Sequence, residues 1–397
     1  MNNELAINGG VPIRDTYLSY GKQFIDEKDI EKVVEILKGD YLTTGPNVAE
    51  FEKKVAYYVG AKYAVAVSNG TAALHAACYA AGIKEGDEVL VPAITFAASS
   101  NCVLYCGGKP IFVDLDPQTY NIDVNKIEEK ITARTKAIIP VDFSGQSIDI
   151  DKIMEIAKKY NLIVIEDAAH ALGSEYKGKK VGTIADMTEF SFHPVKPVTT
   201  AEGGVIVTNS KEYYDKMMLF RSHGITRDSE LMIENHGPWY YEQIDLGYNY
   251  RITDLQCALG ISQMDKLDSF IKRRREIVKR YNDAFKELDE LKTPFEAEFS
   301  NSGWHIYVIV LDLDKLSVGR KEIFEALQKE NIGVNVHYLP VYMHPYYQSL
   351  GYKKGKCPVA EDLYNRMITI PLFPSMSDYD VESVINGVRK VINHYRK

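Results

Sequence analysis

Between residues 63 and 208 the sequence alternates short apolar segments with amphipathic segments, and this alternation restricts the fold more than any other feature. The apolar segments do not alternate with polar residues, which is typical of strands covered on both faces of a sheet. Helical segments between strands predict mostly parallel pairing with right-handed crossovers. We predict an α/β fold with a large, mostly parallel seven-stranded sheet, with strands at residues 63–67, 88–91, 110–113, 136–141, 162–165, 189–192 and 204–208.

The sequence on either side of this region has a different character. Helical periodicity before the first strand predicts two helices, at residues 25–38 and 48–59. After about residue 260 a long helical pattern leads into a strand at 305–311, a helix at 320–330, a strand at 333–337 and a helix at 381–395. We predict a large domain with an N-terminal arm at residues 1–260 and a small C-terminal α+β domain at residues 261–397. Arg273, Arg274 and Arg275 on the connecting helix are expected to face solvent.

Net charge and cysteine pattern argue against several classes of protein. The 397 residues carry a formal net charge of -8, so the chain has no overall basic field to hold a nucleic acid. The five cysteines are scattered without the paired spacing of a zinc site, which is typical of reduced thiols. No signal peptide is recognisable, and no segment approaches the ~20 apolar residues that cross a bilayer. We therefore expect a cytoplasmic protein with no metal, nucleic-acid or membrane partner.

Three segments place polar residues where an α/β sheet binds ligands. Asp167 ends the strand that begins at residue 162, at the carboxyl edge of the sheet, although a helix cap would explain it equally well. Lys196 lies in a loop between strands, where desolvation would make it nucleophilic, whereas a loop lysine usually faces water. Gly70 and Thr71 begin an alanine-rich helix whose free N–H groups suit a phosphate, with a plain N-cap as the alternative.

Together these residues match the requirements of pyridoxal 5'-phosphate. That cofactor needs a lysine for its aldehyde, an acid to keep its ring nitrogen protonated and an anion cup for its phosphate. Lys196, Asp167 and segment 68–75 supply all three within one predicted domain. Phe96 follows another strand and could stack on the ring, although a core position is equally compatible with its spacing. Neither a Walker loop nor a dinucleotide-binding glycine motif follows a strand, so those nucleotide chemistries lose their main support.

Longer motifs along almost the whole chain resemble one known family. They are Leu-Thr-Thr-Gly-Pro (42–46), Ser-Asn-Gly-Thr-Ala-Ala-Leu (68–74), Glu-Asp-Ala-Ala-His-Ala-Leu-Gly (166–173), Ser-Phe-His-Pro-Val-Lys (191–196), Glu-Gly-Gly (202–204), Gly-Tyr-Asn-Tyr-Arg-Ile-Thr-Asp-Leu-Gln (247–256) and Leu-Pro-Val-Tyr (339–342). In this order they are similar to the DegT/DnrJ/EryC1/StrS sugar aminotransferases, a branch of the fold-type I pyridoxal-phosphate enzymes. The resemblance implies that fold, with a large sheet domain and a smaller C-terminal domain.

Position by position, the resemblance implies roles for eight residues. Lys196 matches the lysine that the family joins to the cofactor as a Schiff base, and Asp167 matches the partner of the pyridine nitrogen. The other matches are positions beside the ring (His170, Phe96), phosphate contacts (Ser191, Gly70, Thr71) and a residue lent to the phosphate of the neighbouring subunit (Asn249). The last match implies a homodimer with shared active sites.

The resemblance also implies the reaction. Some family members carry His at the lysine position and dehydrate sugars, so Lys196 favours amino transfer, with L-glutamate as the donor and 2-oxoglutarate as its product. Segments 191–204 and 141–147, in which Asp142 replaces the His of many relatives, are most similar to a subgroup of pseudaminic acid synthesis. This implies transfer to C4 of a UDP-linked 4-keto-6-deoxy-N-acetylhexosamine, giving UDP-4-amino-4,6-dideoxy-N-acetyl-β-L-altrosamine.

Two other interpretations stay open at this point. The substrate could be a D-configured keto-sugar linked to UDP or dTDP, or the chain could be a non-catalytic regulator that keeps the fold. Substrate contacts are equally open. Aromatic and imidazole side chains in the small domain could line a sugar pocket or pack in a core; they are Trp304, His305, His337, Tyr338, Tyr342 and His344.

Overall fold

A seven-stranded sheet forms the centre of the computed structural model, which describes residues 4–397. Its strands are β1 (Tyr63–Val67), β2 (Glu88–Pro92), β3 (Lys109–Val113), β4 (Thr135–Ile138), β5 (Ile163–Asp167), β6 (Met187–Ser191) and β7 (Gly204–Thr208). They lie in the order β1-β7-β6-β5-β4-β2-β3, with β1–β7 and β7–β6 antiparallel and the other pairs parallel. The predicted α/β fold is confirmed, and each of the seven strands predicted for this sheet overlaps an observed one.

Helices pack on both faces of this sheet. The α-helices are α1 (Glu27–Lys38), α2 (Pro46–Val59), α3 (Gly70–Ala80), α4 (Ala98–Tyr105), α5 (Ile150–Tyr160), α6 (Lys211–Phe220), α7 (Asp254–Met264), α8 (Leu267–Phe285), α9 (Arg320–Lys329), α10 (Pro345–Ser349), α11 (Pro358–Arg366) and α12 (Asp378–Tyr395). Ile165 of β5 lies in the core formed with α3, while its neighbour Val164 lies in the core formed with α5. Two-sided burial of this kind explains the continuous apolar strands. Within residues 4–397, every helix is too short or too polar to serve as a membrane span.

A second, smaller sheet lies in the C-terminal part of the chain. Its antiparallel strands are β8 (Leu291–Lys292), β9 (Tyr307–Leu311) and β10 (Met367–Ile370), in the order β8-β9-β10. The predicted strand at 333–337 is wrong. The N–H of Gly333 bonds to the carbonyl of Leu18 at 2.6 Å, whereas Asn335 bonds to Thr369 at 2.8 and 3.0 Å. Because this extended segment divides its hydrogen bonds between two partners, it forms an isolated bridge rather than a strand.

The remaining strands are short two-residue pairs. They are Glu175–Tyr176, Lys179–Lys180 and Ser300–Asn301 in one sheet, and Ile225–Thr226 with Glu242–Gln243 in another. Short 3-10 turns connect several elements, at Ala6–Asn8, Val124–Lys126, Glu128–Lys130, Phe143–Gly145, Leu313–Lys315 and Val341–Met343.

The N-terminal segment packs against the C-terminal part of the chain. Leu5 and Leu18 belong to the core that α8, α9, α12 and the small sheet form. The buried carboxylate of Glu330 accepts hydrogen bonds from the N–H groups of Ala6 and Ile13, both at 2.9 Å. Together with the Leu18–Gly333 bond, these contacts hold the segment in place. The two-domain division at residue 260 stays a prediction.

Arg274 is buried, which contradicts the expectation that all three arginines of α8 face solvent. Its Nη1 donates hydrogen bonds to the carbonyl oxygens of Trp304 (3.2 Å), His305 (3.0 Å) and Leu372 (2.9 Å). The physical reason is helical periodicity, because Arg274 lies three residues after the buried Ile271 and therefore on the same face of the helix.

Candidate active site

A cavity of about 970 Å³ opens at the carboxyl ends of β5 and β6, near the start of α3. Seven of the eight residues that sequence reasoning selected line it: Lys196, Asp167, His170, Ser191, Gly70, Thr71 and Phe96. Asn249 is exposed and is not among the described residues that line this cavity. The volume lies at the upper end of the range for small-molecule sites, which leaves room for a cofactor and a substrate together.

Asp167 ends β5 with its carboxylate buried and held on both oxygens. Oδ2 accepts a hydrogen bond of 2.5 Å from the hydroxyl of Ser99, and Oδ1 accepts one of 3.2 Å from the N–H of Ala169. Burial raises the pKa of Asp167, while Ser99, Ala169 and the nearby Lys196 act in the opposite direction. The result is a fixed, buried acid that can hold a proton on a cationic ring nitrogen.

The first turn of α3 has the properties of an anion site. The side chain of Asn69 accepts a hydrogen bond from the N–H of Ala72 at 2.8 Å and so caps the helix. Among residues 4–397 nothing accepts a hydrogen bond from the N–H groups of Gly70 and Thr71. A Cβ atom on Gly70 would lie 3.2 Å from the hydroxyl oxygen of Ser191, so this hydroxyl borders the helix start. Free donors at a helix N-terminus suit a phosphate.

Lys196 lies in the loop after β6, where its N–H donates a hydrogen bond of 2.9 Å to the carbonyl of His193. Burial lowers the pKa of its amine from 10.5 to about 8, against the opposing effect of nearby Asp167. A lysine with this pKa is partly neutral near pH 7, which is the form that attacks an aldehyde.

His170 is a buried, neutral imidazole in the wall of the cavity. Its Nδ1 accepts a hydrogen bond of 3.2 Å from the N–H of Ser144, which leaves the ring proton on Nε2. Nε2 lies 3.4 Å from the hydroxyl of Tyr338, and the ring lies 4.5 Å from that of His305. Burial holds the pKa of His170 well below its usual range, with further lowering by Lys196 and His337.

Three of the open substrate candidates line the cavity and others do not. His305, His337 and Tyr338 contribute to its wall. Tyr342 is buried elsewhere, where its hydroxyl donates a hydrogen bond of 2.6 Å to Glu361, so packing explains it.

Ser99 and Glu189 are among the polar residues of the site that sequence reasoning missed. Ser99 lies at the start of α4 after β2, and the strand-end rule that selected Phe96 could have found it. Glu189 lies in the middle of β6 and lines the cavity. A charged residue inside an otherwise buried strand was the available signal.

The comparison with known proteins decides the family. Residues 23–389 match the sequence pattern of the DegT/DnrJ/EryC1/StrS aminotransferase family. The chain belongs to this family.

Three relatives are similar over nearly their whole length. The chain is 44% identical to the spore coat polysaccharide biosynthesis protein SpsC of Bacillus subtilis, over 96% of this chain and 98% of the relative. It is 40% identical to the UDP-4-amino-4,6-dideoxy-N-acetyl-β-L-altrosamine transaminase of Campylobacter jejuni, over 96% and 99%. It is 39% identical to GDP-perosamine synthase of Escherichia coli O157:H7, over 94% and 98%.

Two solved structures have the same fold. The aminotransferase PseC of Helicobacter pylori, which takes part in the biosynthesis of pseudaminic acid, matches with a TM-score of 0.90 at 32% identity, over 96% of this chain and 100% of that chain. The PLP-form of the sugar aminotransferase Spr1654 of Streptococcus pneumoniae matches with a TM-score of 0.88 at 31% identity, over 95% and 99%.

The protein is therefore a sugar aminotransferase of fold type I that depends on pyridoxal 5'-phosphate. The cavity offers groups of the kind that this cofactor requires. They are two N–H donors at a helix start that have no acceptor within residues 4–397, a lysine of lowered pKa and a buried carboxylate.

Proposed function

We propose that this enzyme transfers an amino group from L-glutamate to C4 of a UDP-linked 4-keto-6-deoxy-N-acetylhexosamine, giving UDP-4-amino-4,6-dideoxy-N-acetyl-β-L-altrosamine. The observation that carries the proposal is the convergence of Lys196, Asp167 and the free N–H groups of Gly70 and Thr71 on one cavity. The resemblance to the C. jejuni transaminase and to PseC supports the choice of sugar.

We assign the cofactor contacts as follows. Lys196 would bond the cofactor aldehyde, and Asp167 would hold the proton on the ring nitrogen. Phosphate donors would be Gly70, Thr71 and Ser191, because free N–H groups and a hydroxyl meet at the start of α3. Phe96 and His170 would flank the ring. The 61% exposure of Phe96 supports this assignment, because a large apolar side chain at the cavity mouth has a face free for stacking.

When bound, pyridoxal 5'-phosphate supplies a conjugated ring that accepts the electron pair released at the substrate carbon. In the first half-reaction Nζ of Lys196 would take the proton from the α carbon of L-glutamate as general base; water then replaces nitrogen at that carbon, so that 2-oxoglutarate leaves and the amino group stays in the site. In the second half-reaction the amino nitrogen replaces the keto oxygen at C4 of the sugar, which leaves as water, and Nζ of Lys196 would deliver a proton to C4. Asp167 would keep the ring nitrogen protonated, and the hydrogen bonds from Ser99 and Ala169 support this role because they favour its ionised form against the effect of burial.

A panel of 4-keto-sugars tests the choice of substrate. Purified enzyme, L-glutamate and each sugar nucleotide are incubated, and mass spectrometry detects the amino-sugar, with Lys196→Ala as the inactive control. We expect the highest kcat/KM with the UDP-linked L-configured 4-keto-sugar. Higher kcat/KM with a D-configured sugar linked to UDP, dTDP or GDP would replace this substrate, and the 39% identity to GDP-perosamine synthase makes the GDP arm necessary.

The same preparation separates an enzyme from a regulator. Addition of L-glutamate alone should change the absorbance of the bound cofactor, and the 4-keto-sugar should restore it. An unchanged spectrum at saturating L-glutamate would favour a regulator that keeps the fold without the reaction.

We further propose a homodimer in which Asn249 contacts the phosphate in the partner's site. Two features support it: Asn249 is exposed, and α1 carries the exposed apolar residues Ile30, Val34 and Leu37 beside a groove. A hybrid dimer of Lys196→Ala and Asn249→Ala protomers tests the sharing. If Asn249 acts on the partner's site, the hybrid regains one intact site and about half of the wild-type activity. If Asn249 acts within its own chain, the hybrid has no intact site.

The cytoplasm is the proposed location of the reaction. The free thiols of Cys78, Cys102, Cys257 and Cys357 are buried in the fold, which is compatible with a reducing compartment. Cell fractionation with detection of the untagged protein tests this, and recovery outside the cytoplasmic fraction would overturn it.

A further inference from the structure

Glu189 is a fully buried acid for which the proposed mechanism has no role. It lies in the middle of β6 with no solvent exposure. Neither carboxyl oxygen accepts a hydrogen bond from any donor within residues 4–397. Buried carboxylates are almost always paired with a cation or hydrogen-bonded, so an acid without a donor calls for a physical explanation.

The neighbour of Glu189 across the sheet is Asp167. The two residues are register partners on the parallel strands β6 and β5, so their side chains leave the sheet on the same face. Each of the two carboxyl groups changes the pKa of the other, as neighbouring acids do. Asp167 already accepts hydrogen bonds from Ser99 and Ala169. Its neighbour Glu189 is a second carboxyl group, so two acids lie side by side.

The other groups around Glu189 leave room for one negative charge rather than two. Lys196 is a cation close enough to lower the pKa of Glu189, and the thiol of Cys102 on α4 is close enough to raise it. On α3, Glu189 Oε1 lies 2.6 Å from where a Cβ of Gly70 would stand, but the N–H groups there are the proposed phosphate donors. Two carboxylates against one ammonium would leave a net negative charge in a buried site, whereas one shared proton removes it.

We propose that Glu189 is a positioning residue that keeps its proton and donates it as a hydrogen bond to the carboxylate of Asp167. In this arrangement Asp167 alone carries the negative charge of the pair. Three donors then fix the Asp167 carboxylate: Ser99, Ala169 and Glu189. Burial and the adjacent Asp167 raise the pKa of Glu189 well above its usual range, and Lys196 opposes them, which agrees with a retained proton. The inference depends on the cofactor and not on which sugar is aminated.

Variants at position 189 separate this arrangement from an ionised Glu189. Glu189→Gln keeps the shape and a donor group, whereas Glu189→Met keeps the size and removes the donor. Glu166→Gln is the matched control. Glu166, on β5, is likewise a buried acid, but it accepts a hydrogen bond of 2.8 Å from Thr188 on the opposite face of the sheet. For each protein we measure the rate of pyridoxal 5'-phosphate uptake by the apoenzyme as a function of pH.

If Glu189 is neutral, Glu189→Gln leaves the charge around Lys196 unchanged. The midpoint of the uptake profile then stays at its wild-type pH, as it does in Glu166→Gln. If Glu189 is ionised, its replacement by Gln removes a negative charge beside Lys196, and the midpoint moves to lower pH by about one unit or more. That shift would overturn the proposal.

The infrared spectrum gives a second and direct test. The wild-type apoenzyme should show the carbonyl band of a protonated carboxylic acid that Glu189→Gln lacks, and absence of this difference would also overturn the proposal.

In the glutamate half-reaction, Glu189→Gln should stay within about threefold of wild type, and Glu189→Met should be ~10- to 100-fold slower with little change in KM. Equal losses in both variants would show that the donor is not what matters. None of these measurements uses a keto-sugar, so they do not depend on the proposed substrate.

Discussion

The hydroxyl of Ser99 donates a hydrogen bond of 2.5 Å to Oδ2 of Asp167, and the hydroxyl of Thr95 lies 2.7 Å from that of Ser99. Both hydroxyl groups are buried. This series of hydrogen bonds connects the end of β2 with the end of β5. It fixes Asp167, the acid that we assign to the ring nitrogen. A hydrogen bond to a charged group in such a site contributes ~1.5–3 kcal/mol.

We expect Ser99→Ala to lower kcat about tenfold with little change in KM for L-glutamate, because Asp167 loses a donor that favours its ionised form. Ser100→Ala is the matched control, since Ser100 is equally buried and its hydroxyl has no hydrogen-bond partner within residues 4–397. Steady-state kinetics of both variants check this. Equal losses in both would mean that packing, and not the bond to Asp167, is responsible.

Cofactor uptake should depend on pH through Lys196. Because the pKa of this amine is lowered to about 8, the neutral form increases about tenfold per pH unit below 8 and levels off above it. The uptake rate of the apoenzyme should follow this curve, and Asp167→Asn should move it to lower pH by removing a negative charge that raises the pKa of Lys196. Stopped-flow absorbance measures the rate. A profile without a slope between pH 6 and about 8 would contradict the lowered pKa.

The same shift has a consequence for stability, with a definite sign. Between pH 8 and 10.5 the unfolded chain binds a proton at Lys196 that the folded apoenzyme does not, so this group makes the fold more stable as pH rises through that window. The melting temperature of apo Lys196→Met should therefore exceed that of the wild-type apoenzyme most clearly below pH 8. The difference between the two melting temperatures should decrease toward pH 10. Calorimetry at several pH values checks the trend, and a constant difference would contradict it.

Gly70→Ala should weaken cofactor binding by crowding the helix start. The added Cβ would lie 2.6 Å from Oε1 of Glu189 and 3.2 Å from the hydroxyl oxygen of Ser191, so one of them must move. We expect the Kd for pyridoxamine phosphate to rise about tenfold, as fluorescence titration would measure, because a phosphate donor is displaced. Gly39→Ala is the control, since its Cβ would meet nothing closer than 3.5 Å. If the clash is with Glu189, removal of the Glu189 carboxyl group should relieve it. The double variant Gly70→Ala/Glu189→Ala should then bind pyridoxamine phosphate more tightly than the sum of the two single-variant effects predicts.

Arg274→Ala should destabilise the fold. Its loss leaves three carbonyl groups without their donor, and unsatisfied buried groups cost ~1–3 kcal/mol each. We expect a drop in Tm of roughly 5 °C or more. Lys272→Ala, on the exposed face of the same helix, should change Tm by less than about 1 °C. Calorimetry of both variants measures these changes. A change in Tm for Arg274→Ala as small as that for Lys272→Ala would mean that Arg274 has only a peripheral role.

Much of the fold could be predicted from the sequence because its signals are local. The strands of the large sheet are continuous apolar runs, and Ile150–Tyr160 has a clear helical face. The segment at 333–337 has the same local appearance as a strand, but the partners of Gly333 and Asn335 lie far away in sequence, which a local pattern does not contain. The burial of Arg274 likewise depends on carbonyl groups about 30 and 100 residues away.

The site divides in the same way. Asp167 ends β5, and Gly70 begins the helix that follows β1. Because the carboxyl ends of parallel strands lie at one edge of the sheet, this edge could be predicted as the place where such residues come together. The contact between Glu189 and Asp167 depends on which strands are neighbours and in what register. Sequence order does not give that information, because β5 and β6 are separated by a segment with two short strands of another sheet.

The clasp that Glu330 forms with the N–H groups of Ala6 and Ile13 has a consequence for biosynthesis. Ala6 lies 324 residues before Glu330, so during translation it has no partner until those residues have been made. The large sheet can assemble in that time, but Leu5 and Leu18 lack their apolar surroundings until α8, α9 and α12 have been made. This core therefore forms after the large sheet, and until then the nascent chain exposes an apolar segment to chaperones.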